Sequence, residues 1–189
     1  VRALTVKEEQ EFTGWLIKQN VRNFPYKNIY LIQMYVGLRI GEVLALQTSD
    51  INLRLKKINV NKTLTKNLKG KVVMGKTTKT YSGLRNVPIP YSLYPYILEQ
   101  IEIAKKNRDN PENLLFKPEE KQYTSLRDVN DVLKTVLKYT LGITDITTHS
   151  LRPAYGTRCI EAGLQPVVLQ RLMGHKDISV TLNTYTDVL

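Results

Sequence analysis

The sequence is short of cysteine, histidine and acid. Cys159 is the one cysteine in 189 residues, which excludes an internal disulfide and a cysteine-rich metal site. It falls in an apolar helical stretch and is expected to be a buried thiol rather than a nucleophile. Only two histidines occur, His149 and His175. No apolar run approaches the ~20 residues of a membrane span, and no signal peptide, internal repeat or low-complexity segment is visible. A soluble cytoplasmic protein is therefore expected. Acidic residues number 17 against 28 Lys and Arg, and no motif gathers carboxylates as a two-metal nuclease would need. The first residue is Val1 rather than Met, so the chain is expected to be part of something longer.

What is present is positive charge on a chain able to fold. Hydrophobic residues make up 42% of the sequence, which suits one globular domain with a real core. The net charge of +11 favours a polyanionic partner, nucleic acid first.

The hydrophobic pattern predicts helices at both ends and strands between. Thr5-Val6-Lys7-Glu8 reads as a capping box opening a helix through about residue 19. Further helices are expected over about 26–36 and, after Gly37, around Ile40 to Leu46. Residues 56–90 are rich in Lys, Thr and Val and alternate in polarity, which predicts a small antiparallel sheet of about three strands. Helices return over about 93–106, 126–140, 151–162, 166–173 and 178–185. Gly163 and Gly174 stand where helix-terminating glycines belong, and Pro166 at a helix start. The class is mainly α with a small inserted antiparallel β-sheet.

Three motifs carry candidate chemistry: Gly37-Leu38-Arg39-Ile40-Gly41-Glu42, His149-Ser150-Leu151-Arg152, and Leu172-Met173-Gly174-His175 continuing to Tyr185. Arginine keeps its charge and can donate two parallel hydrogen bonds to a phosphate. Arg39 sits among apolar residues, where its charge needs a partner, and Glu42 is one candidate. His149 and Arg152 share a face if both lie in one helical turn. Histidine titrates near neutral pH and can move a proton. Tyr185 is one of 11 tyrosines, and composition alone does not separate it from the others.

In this order and spacing the motifs resemble those of the tyrosine recombinase catalytic domain, found in phage and conjugative transposon integrases. The resemblance covers essentially the whole chain. It implies that Arg39 and Arg152 hold the scissile phosphate, with Glu42 in support, and that His149 and His175 assist proton transfer and phosphate binding. Tyr185 would attack, giving a 3′-phosphotyrosine without metal, ATP or cofactor. Lys79 begins Lys79-Thr80-Tyr81-Ser82-Gly83-Leu84-Arg85-Asn86-Val87-Pro88, similar to the family's lysine motif, and would protonate the leaving 5′-oxygen. Lys76 is the reserve for that role. Lys76, Arg85 and Lys71 are candidate DNA contacts.

The same resemblance implies double-stranded DNA at a recombination site as partner, a homo-tetramer on DNA in the full-length protein, and a place at the bacterial nucleoid. It identifies residues 1–189 as the catalytic domain, without the core-binding and arm-binding domains that family members carry before it. One departure stands out: Pro153-Ala154 follows Arg152 where the family usually has His-Thr. Proline is cheap only in a first helical turn, so either the helix starts near Leu151 or it is kinked just after Arg152. Two other readings predict different behaviour. A non-enzymatic DNA-binding module would not need Tyr185, and a type IB topoisomerase-like enzyme would need no cognate site.

Overall fold

A computed structural model describes residues 2–76 and 83–186. Thr5 caps helix α1 (Val6–Lys18): its hydroxyl accepts from the Glu8 amide, and the Glu8 carboxylate accepts from the Thr5 amide at 2.8 Å. Phe12 and Leu16 bury one face of α1 against helix α2 (Lys27–Val36). Nine of the ten residues of α2 are buried, so it is the central helix of the main core. It ends at Gly37 in the left-handed region, and the short helix α3 (Ile40–Leu44) follows.

Among the described residues five strands come next, in two sheets rather than the single three-stranded sheet expected from sequence. Strands β1 (Ile51–Asn52), β2 (Lys57–Val60) and β5 (Arg85–Pro88) form one antiparallel sheet in the order β1-β2-β5. Strands β3 (Lys62–Lys66) and β4 (Val72–Lys76) form a separate hairpin, with Leu64 opposite Met74. Asn61 alone separates β2 from β3, so the chain changes sheets at one residue. Helix α3 lies directly on β3. A Cβ on Gly41 would stand 2.5 Å from the Leu64 carbonyl oxygen, so only glycine allows that approach.

Helix α4 (Tyr94–Lys106) and helix α5 (Leu126–Val136) follow, the latter capped by the Ser125 hydroxyl. The predicted helix over 126–140 continues past α5 as a π-helical turn, Leu137–Leu141, ending at left-handed Gly142. Helix α6 (Thr148–Glu161) packs along α2. It starts three residues before the predicted Leu151, because the Thr147 side chain caps it through the His149 amide. Pro153 therefore lies inside the helix. It cannot supply the N–H that the His149 carbonyl would otherwise receive, and proline in such a position costs about 3 kcal/mol.

The chain closes with helix α7 (Pro166–Met173), left-handed Gly174, and helix α8 (Ile178–Thr184) capped by Asp177. Ile160, Leu169, Met173 and Tyr185 form a second, small core beneath these helices. Among the described residues no helix is long and apolar enough to cross a membrane.

Candidate active site

The first arginine stands where α3 begins. Arg39 has extended backbone and caps α3. Its amide donates to Glu42 Oε2 at 2.9 Å and its guanidinium to Glu42 Oε1 at 3.1 Å. About half of the Arg39 side chain is exposed, whereas Glu42 is buried. Glu42 also accepts two hydrogen bonds from Arg85, at 3.0 and 2.8 Å. Burial works to raise the Glu42 carboxyl, but the hydrogen bonds and charge of Arg85, and then of Arg39, hold it below the ordinary value. Glu42 is thus an anion fixed between two cations, one buried and one facing solvent.

Arg85 also joins the sheet to the C-terminal helices. Its Nε donates to the Leu172 carbonyl at 2.7 Å. Arg152, from α6, donates one terminal nitrogen to the Gly37 carbonyl at 2.6 Å and the other to the Met173 carbonyl. Two adjacent carbonyls at the end of α7 therefore each receive an arginine. These carbonyls are the negative end of the helix dipole, so cations there are favoured. Burial, and then the charge of Arg39, lower the Arg152 pKa to about 9, so the guanidinium stays charged at neutral pH.

Tyr185 meets Arg152 at the same residue. Its hydroxyl lies 3.2 Å from Met173 Sδ, and the side chain is buried. The phenol lies over Gly156 of α6, where a Cβ would overlap Oη and Cζ. Burial raises the Tyr185 pKa to about 12, while the charge of Arg152 pulls the other way. The hydroxyl is therefore protonated and shielded in this conformation.

His175 follows the left-handed turn at Gly174, and its Nδ1 lies 2.8 Å from Thr181 Oγ1. Burial, followed by the charges of Arg152, Arg39 and Arg85, lowers its pKa to about 4. The imidazole is neutral at pH 7 and half-buried. Beside it opens a cleft of about 340 Å³, lined by Arg85, Arg171 and Lys176 among others. Such a cleft can receive an anion. His149 is exposed on the first turn of α6, one turn before Arg152.

The profile of the phage integrase family matches residues 2–189. The chain belongs to the phage integrase family. A tyrosine recombinase XerC-like protein of Caldanaerobacter subterraneus subsp. tengcongensis is 29% identical over 92% of this chain and 48% of its own length. The transposase from transposon Tn916 of Enterococcus faecalis is 29% identical over 96% of this chain and 47% of its own length. The chain thus spans about half the length of these relatives. The structure of the Tn1549 transposon integrase in complex with transposon right end DNA superposes with a TM-score of 0.82 at 27% identity, over 97% of this chain and 61% of that one. The recombinase XerA, at 18% identity and a TM-score of 0.75, shares the fold.

The integrase fold brings Arg39, Glu42, Arg152, His175 and Tyr185 into one neighbourhood, linked through Arg85 and Met173. Arg85, named from sequence as a candidate DNA contact, is tied to protein partners here. The side chain is 6% exposed and committed to Glu42 and Leu172, because a buried guanidinium needs a counter-ion. Lys71 is exposed beside the β3–β4 turn. Lys79 and the side chain of Lys76 lie outside the described residues.

The roles of three residues escaped the sequence reading. Gln33 is buried in α2, and its amide donates to the Leu38 carbonyl at 3.3 Å and the Thr148 carbonyl at 3.2 Å. It thereby ties the backbone beside Arg39 to the backbone beside His149. An amide in the middle of an otherwise apolar helix was the available signal. Met173 lies inside one of the quoted motifs, but nothing in the sequence pointed from it or from Gly156 to Tyr185, since both residue types are ordinary in helical cores.

Proposed function

We propose that this chain is the catalytic domain of a site-specific DNA recombinase that cuts and rejoins DNA through Tyr185. The observation that carries the reading is the meeting of Tyr185 and Arg152 on Met173, beside the Arg39–Glu42 pair and His175. A phosphodiester bound in this neighbourhood would meet the half-exposed guanidinium of Arg39 and the N–H groups of Arg152 not already given to the Gly37 and Met173 carbonyls. Both stabilise charge that builds on the phosphoryl oxygens in the transition state.

In the step itself, the Tyr185 oxygen forms a bond to phosphorus and the bond from phosphorus to the 5′-oxygen breaks. His149 accepts the phenolic proton, and Lys79 gives a proton to the departing 5′-oxygen. The 3′-phosphotyrosine keeps the energy of the broken ester, so the reverse attack reseals the strand without ATP. Tyr185 must first leave its place over Gly156. That move removes the burial that raises its pKa, the effect that the charge of Arg152 opposes.

The substrate is double-stranded DNA at a recombination site of a mobile element, with a conjugative transposon favoured by the relatives above. The reading includes a tetramer on DNA in the full-length protein and a location at the bacterial nucleoid. The test is incubation with a nicked suicide substrate in the presence of EDTA, followed by mapping of the DNA-linked peptide. The expected adduct is on Tyr185, and Tyr185→Phe abolishes it while DNA binding persists. An adduct on another residue, or one that survives in Tyr185→Phe, overturns the proposal.

A further inference from the structure

We propose that Thr181 is a positioning residue that fixes the tautomer of His175, so that the imidazole presents a hydrogen-bond donor, Nε2–H, to the phosphate cleft. The inference rests on the proposed reading that His175 serves a phosphodiester. It starts, however, from a contact within the chain itself.

Thr181 is fully buried on α8, and its hydroxyl lies 2.8 Å from His175 Nδ1. Among the described residues this is the one hydrogen bond of that hydroxyl. A hydroxyl has one proton to donate, and neutral imidazole has one donor and one acceptor nitrogen. If Nδ1 carried the proton, it would donate to Oγ1, and the threonine proton would be left buried without an acceptor. That arrangement costs the desolvation of an unmade hydrogen bond. If Nδ1 is bare, the threonine donates to it and both groups are satisfied. The imidazole proton then sits on Nε2. The low basicity of His175 in this setting agrees, because a neutral ring has a tautomer to choose.

The local geometry leaves little freedom for another outcome. Left-handed Gly174 turns the chain into His175, and Asp177 starts α8 by accepting from the Ser179 amide at 2.9 Å. Thr181 and Tyr185 are four residues apart and both buried, so they lie on one face of the terminal segment. That face therefore carries two hydroxyls, one that orients the imidazole and one proposed to attack phosphorus.

The test is ¹⁵N NMR of the histidine side chains in the free protein. With only two histidines, comparison with His149→Gln assigns both. The wild type is expected to show a bare Nδ1 and a protonated Nε2 at His175. Thr181→Ser keeps that pattern, and Thr181→Val mixes the two tautomers. Adduct formation on the suicide substrate should slow by about 10- to 100-fold in Thr181→Val, the upper figure being the low end of what a positioned acid–base group contributes. Thr181→Ser should restore it. A protonated Nδ1 in the wild type, or an unchanged spectrum in Thr181→Val, overturns the assignment. If Thr181→Val does not fold, the wild-type and Thr181→Ser spectra still decide, since a protonated Nδ1 in either ends the proposal. The expected tautomer in a wild type that forms no adduct supports the role of Thr181 and overturns the proposed function instead.

Discussion

Tyr185 occupies the space that a side chain on Gly156 would fill. The phenol lies directly over that glycine, with its hydroxyl against Met173 Sδ and its ring in the small C-terminal core. The residue proposed as nucleophile is thus also a packing residue, and its storage depends on one missing methyl group.

Gly156→Ala tests that dependence. Alanine is a better helix former than glycine by about 1 kcal/mol, so α6 itself should tolerate it. The new methyl must nevertheless displace the phenol, and forcing an extra methyl into a packed site costs about 1–3 kcal/mol. We expect lower stability in urea and faster nitration of Tyr185 by tetranitromethane. Unchanged nitration would mean that Tyr185 is not held over Gly156.

Glu42 and Arg85 form a buried pair, and removing one charge strands the other. Glu42→Gln keeps the shape of the side chain and loses its charge. The expected destabilisation is about 3–5 kcal/mol, the range for a broken buried pair. Arg39 sits half in solvent and adds little to that figure. The double variant Glu42→Gln, Arg85→Met should recover part of the loss, read from urea midpoints. No recovery would place the cost outside the pair.

The two arginines proposed to hold phosphate should separate in their effects on folding. Arg39→Ala removes an exposed partner of Glu42 and leaves the Arg85 bonds intact, so stability should change by no more than about 1 kcal/mol. Arg152→Ala strips hydrogen bonds from the Gly37 and Met173 carbonyls at a buried position, with an expected loss of about 2–4 kcal/mol. Adduct formation should fall in both. Equal thermal stability of the two variants would contradict the buried role of Arg152.

Much of this arrangement was legible in the sequence where the signals are local. Thr5, Ser125, Gly163 and Gly174 mark helix ends through their own backbone chemistry, and the apolar spacing between them marks the helices. The motifs placed Arg39, Arg152, His175 and Tyr185 in the right order for a shared site. The two-sheet division was not legible, because it depends on Gly41 admitting the Leu64 backbone from another element. The buried ion pair of Arg85 was not legible for a similar reason. Its partners Glu42 and Leu172 lie 43 and 87 positions away in the chain, and nothing near Arg85 announces them. The storage of Tyr185 is of the same kind, since it joins the end of the chain to the middle of α6.

His175 gives the pH prediction. Its pKa is lowered from 6.5 to about 4 in the folded state, so the unfolded chain takes up a proton first as pH falls. The unfolded state then binds more protons, and stability must decrease as pH drops through the window between those two values. Above 6.5 both states are neutral at this site and the contribution is constant. A half-buried ring is screened by solvent, so the loss is on the order of 1–2 kcal/mol rather than the full value of the shift. Glu8 and Glu42, whose carboxyls are held low, act only below their unfolded value of 4.5 and leave most of this window untouched. Glu9 is raised by burial and works in the opposite sense near its lower edge. The difference between wild type and His175→Gln cancels these carboxylates. Urea unfolding of both proteins at pH 7.5 and pH 5 should show wild type losing the larger share of its stability. Parallel losses in the two proteins would mean that the imidazole is as free to protonate in the folded state as in the unfolded one, and that the charges of Arg152, Arg39 and Arg85 do not reach it.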